Sequence, residues 1–339
     1  MIVLGIETSC DETSVAILKD GKLTANLIAS QDFHSKFGGV VPELSSRAHL
    51  QIIIPLLKDA LKKSELQLSD IDLVAATAGP GLIGALLVGL TFAKGLAYSL
   101  NKPFVAVNHI EGHIFSGFLM NKKPSFPFLV LVVSGGHTLL LLVESFTKIN
   151  KLGSTVDDAA GEAFDKVSKL LGFGYPGGPQ IQKAAEDGEE NLISFPIAEL
   201  KEPYNFSFSG LKTAVLRYIE SNFKIIDAIS QQEKSNIAAA FQNAVVKALI
   251  KKVEKALNEY EVNSLSLAGG VAANAKLRKS FENLAVKYHK KLVIPNLEFC
   301  GDNAAMIAFC GMKSYEFGLS DNLSFSPYPG LTPKHFSPI

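Results

Sequence analysis

Two stretches of the chain, 125 residues apart, are written to one plan. Residues 2–6 are apolar, Glu7-Thr-Ser-Cys-Asp-Glu12 is polar, and residues 14–18 are apolar again. Residues 128–133 are apolar, Ser134-Gly-Gly-His137 interrupts, and residues 139–143 resume. Each reads as a β-hairpin with a loaded turn. At this offset Ser9 falls on Ser134 and Thr13 on Thr138. A second echo follows: Asp72 to Gly79 is a strand ending in Ala-Gly before a helix, and Ser264 to Gly269 repeats it. The economical fold is α/β, with two related lobes. The 339 residues suit about two domains. The polar run Asn121 to Pro127 marks the boundary. The lobes are then 1–127, joined by the C-terminal region 302–339, and 128–301.

Helical periodicity predicts helices over Ser45–Lys63, Thr155–Leu171 with Gly172 as the stop, and Ser235–Leu257. Lys183–Pro203 reads as a polar surface excursion. Leu73 to Ala93 carries no charge over 21 positions, long enough for a membrane span. Gly79-Pro80-Gly81 divides it, so a buried strand, loop and helix is expected and no membrane. Met1-Ile-Val-Leu-Gly5 lacks a basic n-region, so no signal peptide is expected. Three cysteines, Cys10, Cys300 and Cys310, suit a reducing compartment and show no thiolate metal spacing. A cytoplasmic location follows. The net charge of zero argues against extensive nucleic-acid binding by this chain alone, though not against a local patch.

Chemistry concentrates in a few places. His109 and His113 are four residues apart, which stacks them on one helix face. Two imidazoles so placed can grip one cation, and the isolated Asp302 can close the set. Asp302 also precedes an apolar helix, where an N-cap is common. Ser134-Gly-Gly136, Gly177-Gly178 and Gly269-Gly270 are bare-backbone turns that admit a phosphate or purine closely. They suggest a nucleotide cleft between the lobes.

Nine motifs then appear in order. They are Gly5-Ile-Glu-Thr-Ser-Cys-Asp-Glu-Thr13, Gly39-Val-Val-Pro-Glu43, Ala78-Gly-Pro-Gly81, His109-Ile-Glu-Gly-His113, Val133-Ser-Gly-Gly-His-Thr138, Asp157 to Asp165, Phe206-Ser-Phe-Ser-Gly-Leu-Lys212, Ala268-Gly-Gly-Val271 and Asp302-Asn303. The chain closely resembles the TsaD (Gcp) family of bacterial tRNA threonylcarbamoyladenosine transferases, from Met1 to about Tyr328. The resemblance implies an actin-like fold of two lobes, of the acetate and sugar kinase superfamily. It implies transfer of threonylcarbamoyl from threonylcarbamoyl-AMP to the exocyclic amine of the adenosine 3′ of the anticodon, in tRNAs reading codons that begin with A. It implies one divalent cation per chain on His109, His113 and Asp302, Fe2+ first and Zn2+ second. It implies two partners, a smaller TsaB-like paralogue on the N-terminal lobe and a TsaE-like ATPase.

Nucleotide contacts carry over to Val132, Val133, Ser134, Gly135, Gly136, Asp165, Gly178 and Asn274. Asp165 would accept from ribose hydroxyls, or pair with Lys169. Asn274 offers the donor and acceptor that adenine or ribose requires. Thr8, Ser9, Asp11 and Glu12 line the first turn, where the fold meets phosphate. Asp11 is the candidate base, or orienter, for a weakly nucleophilic adenine amine. Lys212, Lys276, Arg278 and Lys279 are candidate tRNA phosphate contacts, against the simpler reading of a solvated face. Tyr204, Phe206 and Phe208 alternate as core.

Three rival functions are weighed. A metallopeptidase of the His-Glu-x-x-His kind needs its glutamate near the metal, whereas Glu111 sits about 200° round the helix from each histidine. A small-molecule kinase of this fold does not need the histidine pair. A non-catalytic scaffold would not keep the metal set whole.

Overall fold

A computed structural model describes residues 1–223, 229–331 and 337–338. The chain divides into two compact units, Met1–Lys123 with Pro295–His335, and Pro124–Ile294 with Phe336–Ile339.

The first unit is built on a five-stranded sheet. Its strands are β1 (Ile2–Glu7), β2 (Glu12–Lys19), β3 (Lys22–Ser30), β4 (Leu73–Gly79) and β5 (Phe104–Asn108), in the order β3-β2-β1-β4-β5. The first three form an antiparallel meander, and β4 and β5 add in parallel. Its helices are α1 (Pro42–Lys63), α2 (Ile83–Leu100), α3 (His109–Phe115) and α9 (Ala304–Glu316). Successive side chains on a strand point to opposite faces. Leu4 and Ile6 of β1 therefore join Ile53 and Leu57 of α1 and Leu90 of α2 in the main core. Gly5 faces the other way, onto α9: a Cβ there would stand 2.4 Å from Ala304 O. Gly311 of α9 likewise lies against Ala75 of β4. Two missing side chains let the last helix lie flat on the first sheet.

The second unit repeats the plan. Its strands are β6 (Phe128–Val133), β7 (Thr138–Ser145), β8 (Lys148–Ser154), β9 (Ser264–Ala268), β10 (Lys291–Val293) and the two-residue β11 (Ser337–Pro338). They run in the order β10-β9-β6-β7-β8-β11. Again a meander of three is followed by parallel strands. The register matches too. Shifting both partners of the Glu7↔Ser14 pair by 125 residues gives Val132↔Leu139, which is a pair in the second sheet. The helices are α4 (Ala160–Leu171), α5 (Gly177–Ala185), α6 (Ser209–Asn222), α7 (Gln231–Glu259) and α8 (Ala275–Lys287).

Three helix expectations shift. Helix α1 begins three residues before Ser45, with Pro42 in its first turn, where a missing N–H costs nothing. Helix α7 begins before Ser235 because Ser230 and Glu233 form a capping box. Helix α4 begins at Ala160, not Thr155. Thr155 Oγ1 bonds Asp158 O at 2.6 Å instead, and Val156 N bonds Phe206 O at 2.9 Å, so these residues close a turn. Leu73–Ala93 divides as expected, into β4 and the start of α2. Helix α2 is apolar and long enough to cross a membrane, but Ala85, Leu86, Leu90, Ala93 and Ala97 are its buried face in the core.

Candidate functional site

Helix α3 starts directly after β5 because Asn108 caps it. Its Oδ1 accepts from Ile110 N at 2.8 Å and Glu111 N at 3.2 Å. His109 and His113 then stand one turn apart, ring centroids 4.7 Å apart and planes at 87°. Gly112 lets this helix press on α9, since a Cβ there would meet Met306 at 3.0 Å. The contact delivers Asp302, which precedes α9. Its Oδ1 lies 3.4 Å from His109 Nε2 and 3.2 Å from His113 Nε2. One ligand atom from each residue lies within 4.8 Å of the other two. Two imidazole nitrogens and a carboxylate oxygen converging in this way fit a borderline divalent cation such as Fe2+ or Zn2+. The N-cap of α9 is Asn303, not Asp302: Asn303 Oδ1 accepts from Met306 N at 3.1 Å, which leaves the Asp302 carboxylate for the histidines.

The electrostatics agree with the geometry. Burial alone would lower the His109 pKa, but the carboxylates of Asp302 and Glu7 outweigh it and hold the imidazole well above its ordinary value. Burial likewise favours neutral Asp302, yet His109 and His113 hold its carboxyl well below the usual range. Glu111 is not part of this cluster. Burial pushes its carboxyl up to about 7, and its charge is felt at Cys310 and Tyr328. The glutamate that the peptidase reading needs thus lies outside the cluster.

The first hairpin turn divides its labour. Thr8 does not line the turn with its side chain: it is buried, and its hydroxyl donates to Ala85 O of α2 at 2.9 Å. Ser9 is also buried, its Oγ 3.2 Å from His109 Nδ1. Asp11 and Glu12 remain partly exposed. Burial, then the charges of Asp302 and Asp11, push the Glu12 carboxyl up to about 10. A cation on Asp302 would cancel that repulsion and pull the value back. None of the cysteines joins the donor set. Cys300 Sγ lies 3.5 Å from Pro295 O, and burial pushes the Cys10 and Cys310 thiols up.

Two residues that sequence reasoning missed support His109. Glu7 Oε2 is 3.0 Å from His109 Nδ1, and Thr77 Oγ1 donates to the same oxygen at 2.5 Å. The available signal was a lone carboxylate ending an apolar strand. A third missed residue, His49, is fully buried in α1. Its Nε2 donates to Cys10 O at 3.0 Å, and its Nδ1 accepts from Thr13 Oγ1 at 2.7 Å. It ties the turn that carries Asp11 to the first helix. His49→Leu leaves a buried carbonyl and a buried hydroxyl each one partner short, and is expected to cost about 2–4 kcal/mol. Denaturant melts would read this. Burial lowers the His49 pKa from its ordinary 6.5. The unfolded chain thus takes up this proton first, and stability present above pH 6.5 drains away as pH falls below it. In His49→Leu that part of the acid sensitivity disappears.

In the second unit the turn Ser134–His137 closes on itself. Ser134 N donates to His137 O at 2.8 Å, and His137 N to Ser134 Oγ at 3.2 Å. Gly135 and Gly136 have open space where a side chain would be, as does Gly178. Gly161 at the start of α4 backs the turn, its would-be Cβ 2.5 Å from Ser134 O. Gly269, at φ +89°, crosses against Val133 O. The side chains of Val132 and Val133 are buried at the end of β6. Asp165 Oδ1 accepts from Gly177 N at 2.6 Å, fixing the start of α5 beside Gly178. Asn274 is buried. Its Oδ1 caps α8 at Leu277 N, 3.0 Å, and its Nδ2 donates to Gln242 at 2.7 Å, leaving one amide hydrogen and one lone pair.

Of the candidate phosphate contacts, Lys276 pairs with Glu190, Lys279 with Glu282 at 3.1 Å, and Arg278 Nε donates to Ala272 O at 2.6 Å. Lys212 stands exposed on α6. Tyr204, Phe206 and Phe208 are buried in the core.

Among solved structures, HypF of T. kodakarensis superposes with a TM-score of 0.63 at 15% identity, over 94% of this chain and 48% of that one. Component A of the Acidaminococcus fermentans (R)-2-hydroxyglutaryl-CoA dehydratase gives 0.55 at 15% identity, over 94% and 98%. At such identities these likenesses show the fold alone, the actin-like ATPase fold. Sequence goes further. A protein of Thermosipho africanus named tRNA N6-adenosine threonylcarbamoyltransferase is 53% identical over 98% of this chain and 99% of its own length. One of Carboxydothermus hydrogenoformans with the same name is 50% identical over 97% of each. Residues 22–309 match the family described as TsaD, tRNA N6-adenosine threonylcarbamoyltransferase, and with that the chain is a member of the TsaD family.

Proposed function

We propose that the chain transfers the threonylcarbamoyl group of threonylcarbamoyl-AMP to the N6 amine of the adenosine 3′ of the anticodon, in tRNAs reading codons that begin with A. One divalent cation, Fe2+ or Zn2+, sits on His109, His113 and Asp302. The observation that supports the cation is the approach of three donors, two from α3 and one 189 residues later, to within 4.8 Å. When bound it supplies a Lewis acid for an acyl or phosphoryl oxygen and holds the substrate still.

The chain's own residues do the rest. The backbone of Val132–Gly136 and the open Gly178 receive the adenylate, with Asp165 and Asn274 ordering the loops around it. Asp11, held in its turn by the Cys10–His49 bond, accepts the proton that the adenine amine loses as it attacks the acyl carbon. AMP is the leaving group, so the anhydride arrives already activated. The reaction places the chain in the cytoplasm, with tRNA as substrate. A TsaB-like paralogue and a TsaE-like ATPase complete the assembly, and they would add to whatever basic surface this chain of zero net charge offers to tRNA.

Asp11→Ala tests the base. With partners, threonylcarbamoyl-AMP and tRNA supplied, turnover is expected to fall about 100-fold or more while adenylate binding stays unchanged. Modified adenosine is counted by mass spectrometry. Normal turnover in this variant would remove Asp11 from the role. Peptide cleavage and sugar phosphorylation, run alongside, are expected to be absent.

A further inference from the structure

We propose that Glu7 is the positioning residue of the metal centre: it locks the ring of His109, making His109 the tight ligand and His113 the loose one. The inference rests on the metal reading above. Glu7 is fully buried at the end of β1. A carboxylate there is costly unless every lone pair is used. Its partners come from three places. Oε1 accepts from Ser9 N in the turn at 2.5 Å. Oε2 accepts from Thr77 Oγ1 of β4 at 2.5 Å and faces His109 Nδ1 at 3.0 Å. A carboxylate only accepts, so the third contact requires the proton on Nδ1. That leaves Nε2, the atom facing Asp302 at 3.4 Å, with the lone pair a cation needs.

His113 has no such support. Its Nε2 faces Asp302 at 3.2 Å, but its buried Nδ1 has no hydrogen-bond partner among the described residues. An imidazole whose far nitrogen is held by a carboxylate is better oriented and more basic as a ligand. The two histidines are alike in the sequence and unequal in the fold.

The test is metal affinity on the full chain, by competition with a chromophoric chelator, using Zn2+ in air and Fe2+ under nitrogen. Glu7→Gln is expected to weaken both metals about 10- to 100-fold. Thr77→Val, which frees the same carboxylate oxygen without touching a ligand, is expected to weaken them less. Nitrogen-15 histidine spectra of the zinc form supply a readout that a packing defect would not move. Wild type should show His109 protonated at Nδ1, and Glu7→Gln should lose that sharp, shifted proton. Wild-type affinity and an unchanged His109 spectrum in Glu7→Gln overturn the proposal alone. A wild-type chain that takes up neither metal overturns the metal reading and this proposal with it. Should Glu7→Gln fail to fold by circular dichroism, Thr77→Val decides, and an unchanged affinity and spectrum there overturn the proposal.

Discussion

Asp302→Ala is expected to yield a folded chain that holds no cation and transfers nothing. The residue supplies the one carboxylate oxygen that both imidazoles face, at 3.4 and 3.2 Å. Loss of an outer-shell partner alone weakens metal binding by up to about 100-fold, and loss of a direct ligand exceeds that. Purified variant should therefore carry far less than one metal per chain by elemental analysis, where wild type carries one. The fold should survive, because Asn303 and not Asp302 caps α9. Wild type stripped by a chelator should show the same loss of transfer and recover with Fe2+ or Zn2+, while Asp302→Ala should not recover. An Asp302→Ala chain with full metal and full turnover would sink the proposed centre.

Gly5→Val is expected to have the largest effect on folding. A Cβ at this position would stand 2.4 Å from Ala304 O and 2.8 Å from both Ala308 Cβ and Ala308 N. Two of those atoms are backbone and cannot swing aside. Either α9 lifts from the sheet or β1 bends, and both break the packing around the buried Ala304, Ala305 and Ala308. Overpacking of this kind costs about 3 kcal/mol or more. For a unit of this size that lowers the melting temperature by about 6–12 °C. Displacing α9 also withdraws Asp302 from the histidines, so metal content should fall with stability. Gly135→Ala is the contrast: no atom lies within 4 Å of its missing Cβ, and the melt should not move. Equal melts for Gly5→Val and wild type would mean that α9 does not rest on β1 as described.

Much of this was legible in the sequence because it is local or periodic. The 125-residue echo survives to the level of strand register, since a hairpin's register follows from where its apolar run meets its turn. His109 and His113 were legible because helical spacing alone puts them together. Asp302 stood out as an isolated acid able to close the set, and the resemblance pointed to the same three residues. What escaped depends on contacts between distant segments. Glu7 and Thr77 lie 70 residues apart and meet only because β1 and β4 are parallel neighbours. Thr8 turns into α2, an orientation that no turn motif encodes. The early start given to α4 failed because Val156 fits the helical period. The chain there obeys two bonds instead, its own to Phe206 and that of Thr155 to Asp158.

The division of the first unit between the two ends of the chain has a consequence for biogenesis. Both histidines emerge from the ribosome well ahead of the aspartate they face, the nearer of them, His113, by 189 residues. Until α9 has been made and laid across β1, the nascent lobe lacks the oxygen donor and a lid for one face of its sheet. The proposed metal centre is therefore completed late, after the second unit has been synthesised. A stalled or truncated product would be released as an apoprotein with an exposed sheet, a ready target for quality-control proteases.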